Sequence, residues 1–295
     1  MYGWDLFVDP AKVYLLSQLS NGDWITFDDV IHYSLNFVNS SSKCTSDQMR
    51  SFNGGNNIYE RMFSTFNSSL GDVLTYSINN NPGNDWCQTY GSSYNNSGTV
   101  DFYRITIDDD IENSSNLSKE VTLLHELIHA YFFDTLHEAG FATFTDNSIF
   151  LNGFNCNDEF NGVNLLTLTT AEEYRALLCA MNESGILNTT EWTHEIFNVN
   201  AFSTNTLQQE IQNFLLSYHD WDGENTAFKA FLQNTFGNQW KQKSAEFISW
   251  TGLEATQEFQ SFANQNNYLE TNGNLNNLYI SIAGSMLNLG NKNCN

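Results

Sequence analysis

The stretch VTLLHELIHAYFF, residues 121–133, decides which fold this sequence predicts. It places His125 and His129 four residues apart, with Glu126 between them, in a chain that has only six histidines. Apolar residues recur around them at helical spacing, and side chains four residues apart project from one face of a helix. The sequence therefore predicts a helix that brings two imidazoles and a carboxylate to one place.

Capping residues set the expected limits of this helix and of the next one. Ser118 or Asn116 can cap the first helix, which we expect to run to about residue 135. A second helix is predicted from the threonine pair at 169–170 to a stop near Gly185. The C-terminal third of the sequence also has the apolar spacing of helices.

Two segments upstream of the first helix predict strands, because apolar and polar residues alternate over 72–79 and over 99–108. The turn-rich and Ser/Asn-rich sequence between them predicts loops. We therefore expect an α+β fold, mostly helical, with a small sheet packed on the helix that carries the histidines. Residues 1–40 read as an N-terminal segment or the end of an upstream module, and residues 41–295 as one domain with a helical C-terminal part.

The composition excludes some classes of partner. The chain has 11 Lys and Arg against 34 Asp and Glu, a net charge of -23. Such a charge repels the phosphate backbone of nucleic acids and anionic membrane surfaces. No apolar run is long enough to span a bilayer, and the first residues lack the pattern of a signal peptide.

The cysteines bear on the compartment. All five are widely spaced and none forms a CxxC pair, which excludes a zinc ribbon and a thioredoxin-type redox motif. An odd number leaves at least one thiol unpaired within the chain. Together with the acidic composition and the Asn/Ser-rich loops, they favour an extracytoplasmic protein with one or two disulfides, whose signal has been removed.

The pair of histidines has a chemical use. Neutral imidazoles one helical turn apart can bind one metal ion, and a glutamate beside them can take a proton from an activated water molecule. The alternative is that His125 and His129 are ordinary half-buried side chains. Each would then need a buried partner of its own, so the sequence favours a metal site.

The stretch LLHELIHAYFF resembles the active-site helix of the zincin superfamily of zinc metallopeptidases, in particular its SprT-like and small gluzincin-like branches. The resemblance implies one catalytic Zn²⁺ bound by His125 and His129, Glu126 as general base, and a peptide or protein substrate. It also implies a zincin-like domain whose order of elements matches the prediction from about residue 46 onward. The metzincin branch is excluded, because its continuation requires Gly and His where this chain has Phe132 and Thr135.

A catalytic zinc site needs a third protein ligand. The resemblance to gluzincins favours Glu172, on the second helix, with Glu173 as a capping-box residue or supporting partner. His137 would require the first helix to break near residue 134 and fold back. His194 and His219 are further candidates for the third ligand, and the sequence does not decide among these residues.

Calcium is a further cofactor that the sequence suggests. Asp220, Asp222 and Glu224 form one acidic cluster, and residues 107–110 (IDDD) form another. Neither has the spacing of an EF-hand, and solvated acidic loops explain both.

The sequence thus predicts a zinc-dependent peptidase that acts outside the cytoplasm, with the strand at 99–108 bordering the cleft. The alternative is a metal-binding but catalytically silent module of a secreted or cell-surface protein.

Overall fold

The computed structural model describes residues 25–28, 31–54, 57–68, 72–79, 87–95, 99–145, 148–152, 156, 171–183, 185, 187, 192–198, 206–292 and 294. In these ranges the fold is α+β and mostly helical, with a small sheet that packs against the helix that carries His125, Glu126 and His129, the HExxH motif. The predicted fold class is confirmed.

The main sheet has five strands in the described part of the chain. They are β1 (Ile25–Asp28), β2 (Ile31–Ser34), β3 (Asp72–Asn79), β4 (Cys87–Asn95) and β5 (Thr99–Asp108). Their order across the sheet is β1-β2-β3-β5-β4, with parallel pairing of β2 to β3 and of β3 to β5, and antiparallel pairing at both ends. A separate hairpin consists of β6 (Ala142–Thr145) and β7 (Ser148–Leu151).

Helices make up most of the rest. They are α1 (Leu35–Val38), α2 (Ser41–Ser51), α3 (Ile58–Ser68), α4 (Asn116–Glu138), α5 (Ala171–Glu183), α6 (Trp192–Glu195), α7 (Leu207–Tyr218), α8 (Thr226–Phe236), α9 (Trp240–Ile248), α10 (Gln257–Gln265) and α11 (Asn277–Leu289). The motif lies in α4, whose N-cap is Ser115 and whose end lies a few residues beyond the predicted one. The strands predicted at 72–79 and 99–108 are β3 and β5.

Strand β4 lies where the sequence predicts loops. Its glycine, its two serines and its asparagine have low strand propensity, but it pairs with β5 along its whole length, from Cys87 opposite Ile107 to Asn95 opposite Thr99. Strand β5 is therefore interior, between β3 and β4. The prediction that β5 borders an open cleft is wrong, because β4 forms that edge of the sheet.

The sheet also extends upstream of the predicted division at residue 40. Strand β2 pairs with β3, from Ile31 opposite Leu74 to Tyr33 opposite Tyr76. Residues 25–34 thus belong to the same sheet as the later strands, whereas residues 1–24 lie outside the described part. The division of the chain into domains stays a prediction.

Aromatic side chains on α3 join the sheet to the helices. The Phe63 ring lies 6.1 Å from that of Tyr76 on β3, and the Phe66 ring lies 5.5 Å from that of Tyr103 on β5. All four side chains are buried. Burying an aromatic side chain contributes on the order of 2–3 kcal/mol, so this layer fixes the sheet on which α4 rests.

Two disulfides are present, Cys44–Cys294 and Cys156–Cys179. The side chain of Cys87, the remaining cysteine, lies outside the described residues. Among the helices in the described ranges, none combines the length and the apolar character that crossing a membrane requires.

Candidate metal centre

The two motif histidines lie side by side in the interior. His125 and His129 are each 5 % exposed, and their Nε2 atoms are 3.0 Å apart. They lie on successive turns of α4, as the spacing predicts. The Nδ1 atom of each ring is buried and has no hydrogen-bond partner among the described residues. Both rings therefore direct Nε2 toward the same point.

A third histidine completes the group. His194 lies on the short helix α6, and one ring nitrogen from each of the three histidines lies within 4.8 Å of the other two. The His194 ring centroid is 4.9 Å from that of His129 and 5.6 Å from that of His125. Phe197, one turn further along the chain, stacks on His125 with the ring planes 19° apart. An apolar ring thus forms one wall of the group.

Burial sets the charge of these imidazoles. It lowers the pKa of His125 to about 3, and the proximity of His194 adds to the effect. Burial, followed by the proximity of His125 and His194, lowers the pKa of His129 well below its ordinary value. Both rings are therefore neutral near pH 7, the state in which an imidazole nitrogen can bind a metal.

Glu126 is held by the edge strand. The Thr89 hydroxyl on β4 donates to Oε2 of Glu126 at 2.6 Å, and it also lies 3.1 Å from the Glu126 carbonyl oxygen. Glu126 is buried, with 8 % of its surface exposed. One carboxylate oxygen is thus fixed by a hydrogen bond, which orients the other.

The three histidines suit Zn²⁺. Nitrogens that bind tetrahedral zinc at about 2.0–2.1 Å are roughly 3.3–3.4 Å apart. The separation of 3.0 Å between the Nε2 atoms of His125 and His129 is close to this value. At this distance the two Nε2 atoms share an N–H···N hydrogen bond when one ring is protonated at Nε2, and both can face one cation when both rings are protonated at Nδ1. Three protein ligands also leave one position for water, as in catalytic zinc sites.

The structure does not bring two of the predicted ligands into this group. Helix α4 continues unbroken through Glu138, so His137 lies eight residues beyond His129, about 12 Å along the helix axis. His219 instead contacts two carboxylates, with Nδ1 2.8 Å from Glu120 and Nε2 3.2 Å from Glu224.

The ligand that the sequence favours lies on another helix. Glu172 and Glu173 are in the first turn of α5, but their side chains lie outside the described residues. Glu172 as the third ligand stays a prediction.

Protein groups already occupy the first of the two acidic clusters. Asp222 pairs with Lys241 at 2.8 Å, Glu224 accepts the main-chain N–H of Asn291, and Asp220 accepts that of Gly223. In the second cluster, carboxylate oxygens of residues 108–110 lie within 4.8 Å of one another. Calcium at either place stays a prediction.

Sequence reasoning does not identify Thr89 and offers His194 only as one candidate among several. His194 lies 65 residues after His129, in a helix too short to show a periodic pattern. Thr89 lies in a strand whose glycine, serines and asparagine predict a loop.

Comparisons of the chain with protein-family models, curated proteins and solved structures find no match.

Proposed function

We propose that this chain is a zinc-dependent hydrolase that cleaves peptide bonds in substrates outside the cytoplasm. The observation that supports this proposal best is the group formed by buried His125 and His129 and partly buried His194, in which one ring nitrogen from each lies within 4.8 Å of the other two. Glu126 follows His125 on the same helix. His194 replaces Glu172 as the third ligand in this proposal. Zinc, when bound there, supplies a Lewis acid that polarises a carbonyl group and acidifies water.

The protein residues divide the remaining chemistry. Glu126 accepts the proton of the attacking water and passes it to the leaving amine. The Thr89 hydroxyl holds one oxygen of this carboxylate and so limits its rotation. Phe197 and the buried surroundings exclude bulk water, which strengthens the electrostatic interactions in the site.

The edge of the sheet supports a peptide as substrate. Strand β4 pairs with β5 alone among the described strands, and it carries Thr89 beside Glu126. The β6–β7 hairpin lies close to β4, so an extended peptide would add through main-chain hydrogen bonds to the part of this edge that the hairpin leaves open. The two disulfides support the proposed location, because disulfides persist in oxidising compartments.

The test is to replace Glu126 by Gln, which keeps the size of the side chain and removes its basicity. We expect one zinc per chain in the wild type and in Glu126→Gln, measured by elemental analysis after dialysis. Cleavage of a peptide library should fall about 10²–10⁴-fold in the variant. Glu258→Gln is the matched control, because Glu258 makes no hydrogen bond or ion pair through its side chain among the described residues.

Two results would reject the proposal: a wild type without zinc after supplementation, or a Glu126→Gln variant as active as the wild type.

One observation favours the second candidate function, a metal-binding but catalytically silent module. His125, His129 and Glu126 are 5 %, 5 % and 8 % exposed, which leaves little surface on this group for a peptide to reach. This function predicts one bound zinc and no cleavage of any peptide in the library. Cleavage that a chelator abolishes and added zinc restores would exclude it.

A further inference from the structure

The segment that carries His194 is too short to hold its own shape. Helix α6 has four residues, and the 3-10 turn that follows it, Ile196–Asn198, has three. One helical turn is unstable by itself, because its few hydrogen bonds do not offset the ordering of the chain. The position of His194 therefore depends on what this segment packs against.

Two buried polar side chains dock the segment on the start of α10. Glu195 accepts the main-chain N–H of Gln257 at 3.1 Å, and the Asn198 amide donates to the Thr256 hydroxyl at 3.1 Å. Thr256 is the N-cap of α10 and accepts the N–H of Phe259. Glu195, Asn198 and Thr256 are all buried, so water cannot replace these bonds readily.

The location of Glu195 is electrostatically favourable. The first N–H groups of a helix have no partner within the helix, and the helix dipole attracts negative charge to that end. Glu195 supplies the partner for one of these groups, the N–H of Gln257. A carboxylate adjacent to His194 in the sequence is thus anchored at a fixed place.

The loop that leads into α10 also reaches the motif helix. A Cβ atom on Gly252 would lie 2.9 Å from Cε1 of His125. Two residues on, Glu254 accepts a hydrogen bond from the Tyr279 hydroxyl on α11 at 3.2 Å. The residues from Gly252 to Gln257 therefore contact or face His125 and the His194 segment together.

We propose that Glu195 and Asn198, docked on the N-terminal cap of α10, are positioning residues that place His194 beside His125 and His129. This inference rests on the proposed function, because it takes His194 as a ligand of the metal. If Glu195 and Asn198 have this role, then α10, in the C-terminal helical part of the chain, helps to build the metal site.

The test compares the zinc Kd of the full-length wild type with those of Glu195→Ala and Asn198→Ala, by competition with a chromophoric chelator. We expect binding to weaken about 10–100-fold in both variants, as for other residues that orient ligands. Glu195→Gln keeps an acceptor oxygen for the N–H of Gln257 and should recover most of the affinity. Co²⁺ in place of zinc should give the variants an altered visible spectrum, because one ligand is displaced.

Matched controls lie on α10 itself. Glu258 follows Gln257, and Asn264 is exposed near the end of the helix; neither side chain makes a hydrogen bond within the described ranges. Glu258→Ala and Asn264→Ala should bind zinc as the wild type does. Circular dichroism at the assay temperature establishes that each variant is folded, and Asn198→Ala, which removes a single hydrogen bond, carries the test if Glu195→Ala does not fold.

The outcomes separate the two proposals. A wild type that binds neither zinc nor cobalt overturns the proposed function and this inference with it. A wild type that binds zinc, together with folded Glu195→Ala or Asn198→Ala variants of unchanged Kd and cobalt spectrum, overturns the inference alone.

Discussion

At the scale of the residue, Gly252 shows how closely the main chain approaches the histidines. Its φ is +81°, a conformation that an L-residue adopts at a cost of roughly 1–2 kcal/mol, and an added Cβ would lie 3.2 Å from Nε2 of His125. Gly252→Ala should therefore both destabilise the fold and displace His125, which we propose as a metal ligand. We expect the zinc Kd to rise about tenfold or more, measured by chelator competition.

Gly273 separates these two effects. It has nearly the same φ, +84°, but an added Cβ would meet nothing within 4 Å. Gly273→Ala should lower the free energy of unfolding by a similar amount and leave zinc affinity unchanged. Equal zinc affinities for the two variants would show that the contact with His125 does not matter.

The sequence predicts the residues of the candidate site that lie on α4, and it does not predict how residues from other segments join them. His125, Glu126 and His129 follow from helical spacing, because their relative positions depend only on the geometry of α4. His194 and Thr89 come from distant segments, and their approach to α4 depends on pairing and packing that no local pattern encodes. Only the tertiary structure shows that His194 and Thr89 lie next to α4.

At the scale of the element, the same division holds. The predicted bounds of β3 and β5 agree with the structure, because alternation is a local signal. The sequence does not predict strand β4, since its pairing with β5 outweighs its weak propensity. The order of the strands also places a later strand, β5, between β3 and β4, an arrangement that depends on contacts between distant residues.

A buried histidine links α4 to the loop that follows α7. Burial alone would lower the pKa of His219, but attraction and hydrogen bonding by Glu120 and Glu224 raise it to about 10. The unfolded value is near 6.5, so between pH 6.5 and 10 the folded state holds one proton more than the unfolded state. The stability that this proton contributes is complete below pH 6.5 and is lost as the pH rises through 10.

We therefore predict that the free energy of unfolding decreases between about pH 7 and pH 9, by at most about 1.4 kcal/mol per pH unit from this group. The free energy of unfolding is measured by urea denaturation at each pH, with saturating zinc in every sample. His219→Gln should be less stable near neutral pH, because it leaves buried carboxylates without a cation, and its stability should depend less on pH. Parallel pH profiles for wild type and variant would exclude a protonated His219.

At the scale of the whole molecule, the end of α11 and the residues after it, 287–292 and 294, form a C-terminal tail that supports the start of α4. The N–H groups of Ser115 and Asn116 donate to the carbonyl oxygens of Leu287 and Asn291, at 2.8 and 2.6 Å. The buried Lys119 donates to the Lys292 carbonyl at 3.0 Å. These bonds satisfy groups at the beginning of α4 that have no partner within the helix.

The Cys44–Cys294 disulfide fixes this tail to α2 and closes a loop with a sequence separation of 250 residues, against 23 for Cys156–Cys179. In the chain-entropy account, a loop of that length stabilises the fold by roughly 5 kcal/mol and the shorter loop by about 3 kcal/mol. The double variant Cys44→Ser/Cys294→Ser should therefore lose more stability in urea than Cys156→Ser/Cys179→Ser. The tail would also leave α4 more easily, so amide exchange should accelerate at Ser115 and Asn116 in the first variant and not in the second. An equal loss of stability with unchanged exchange at these two amides would mean that the hydrogen bonds of the tail hold it without the disulfide.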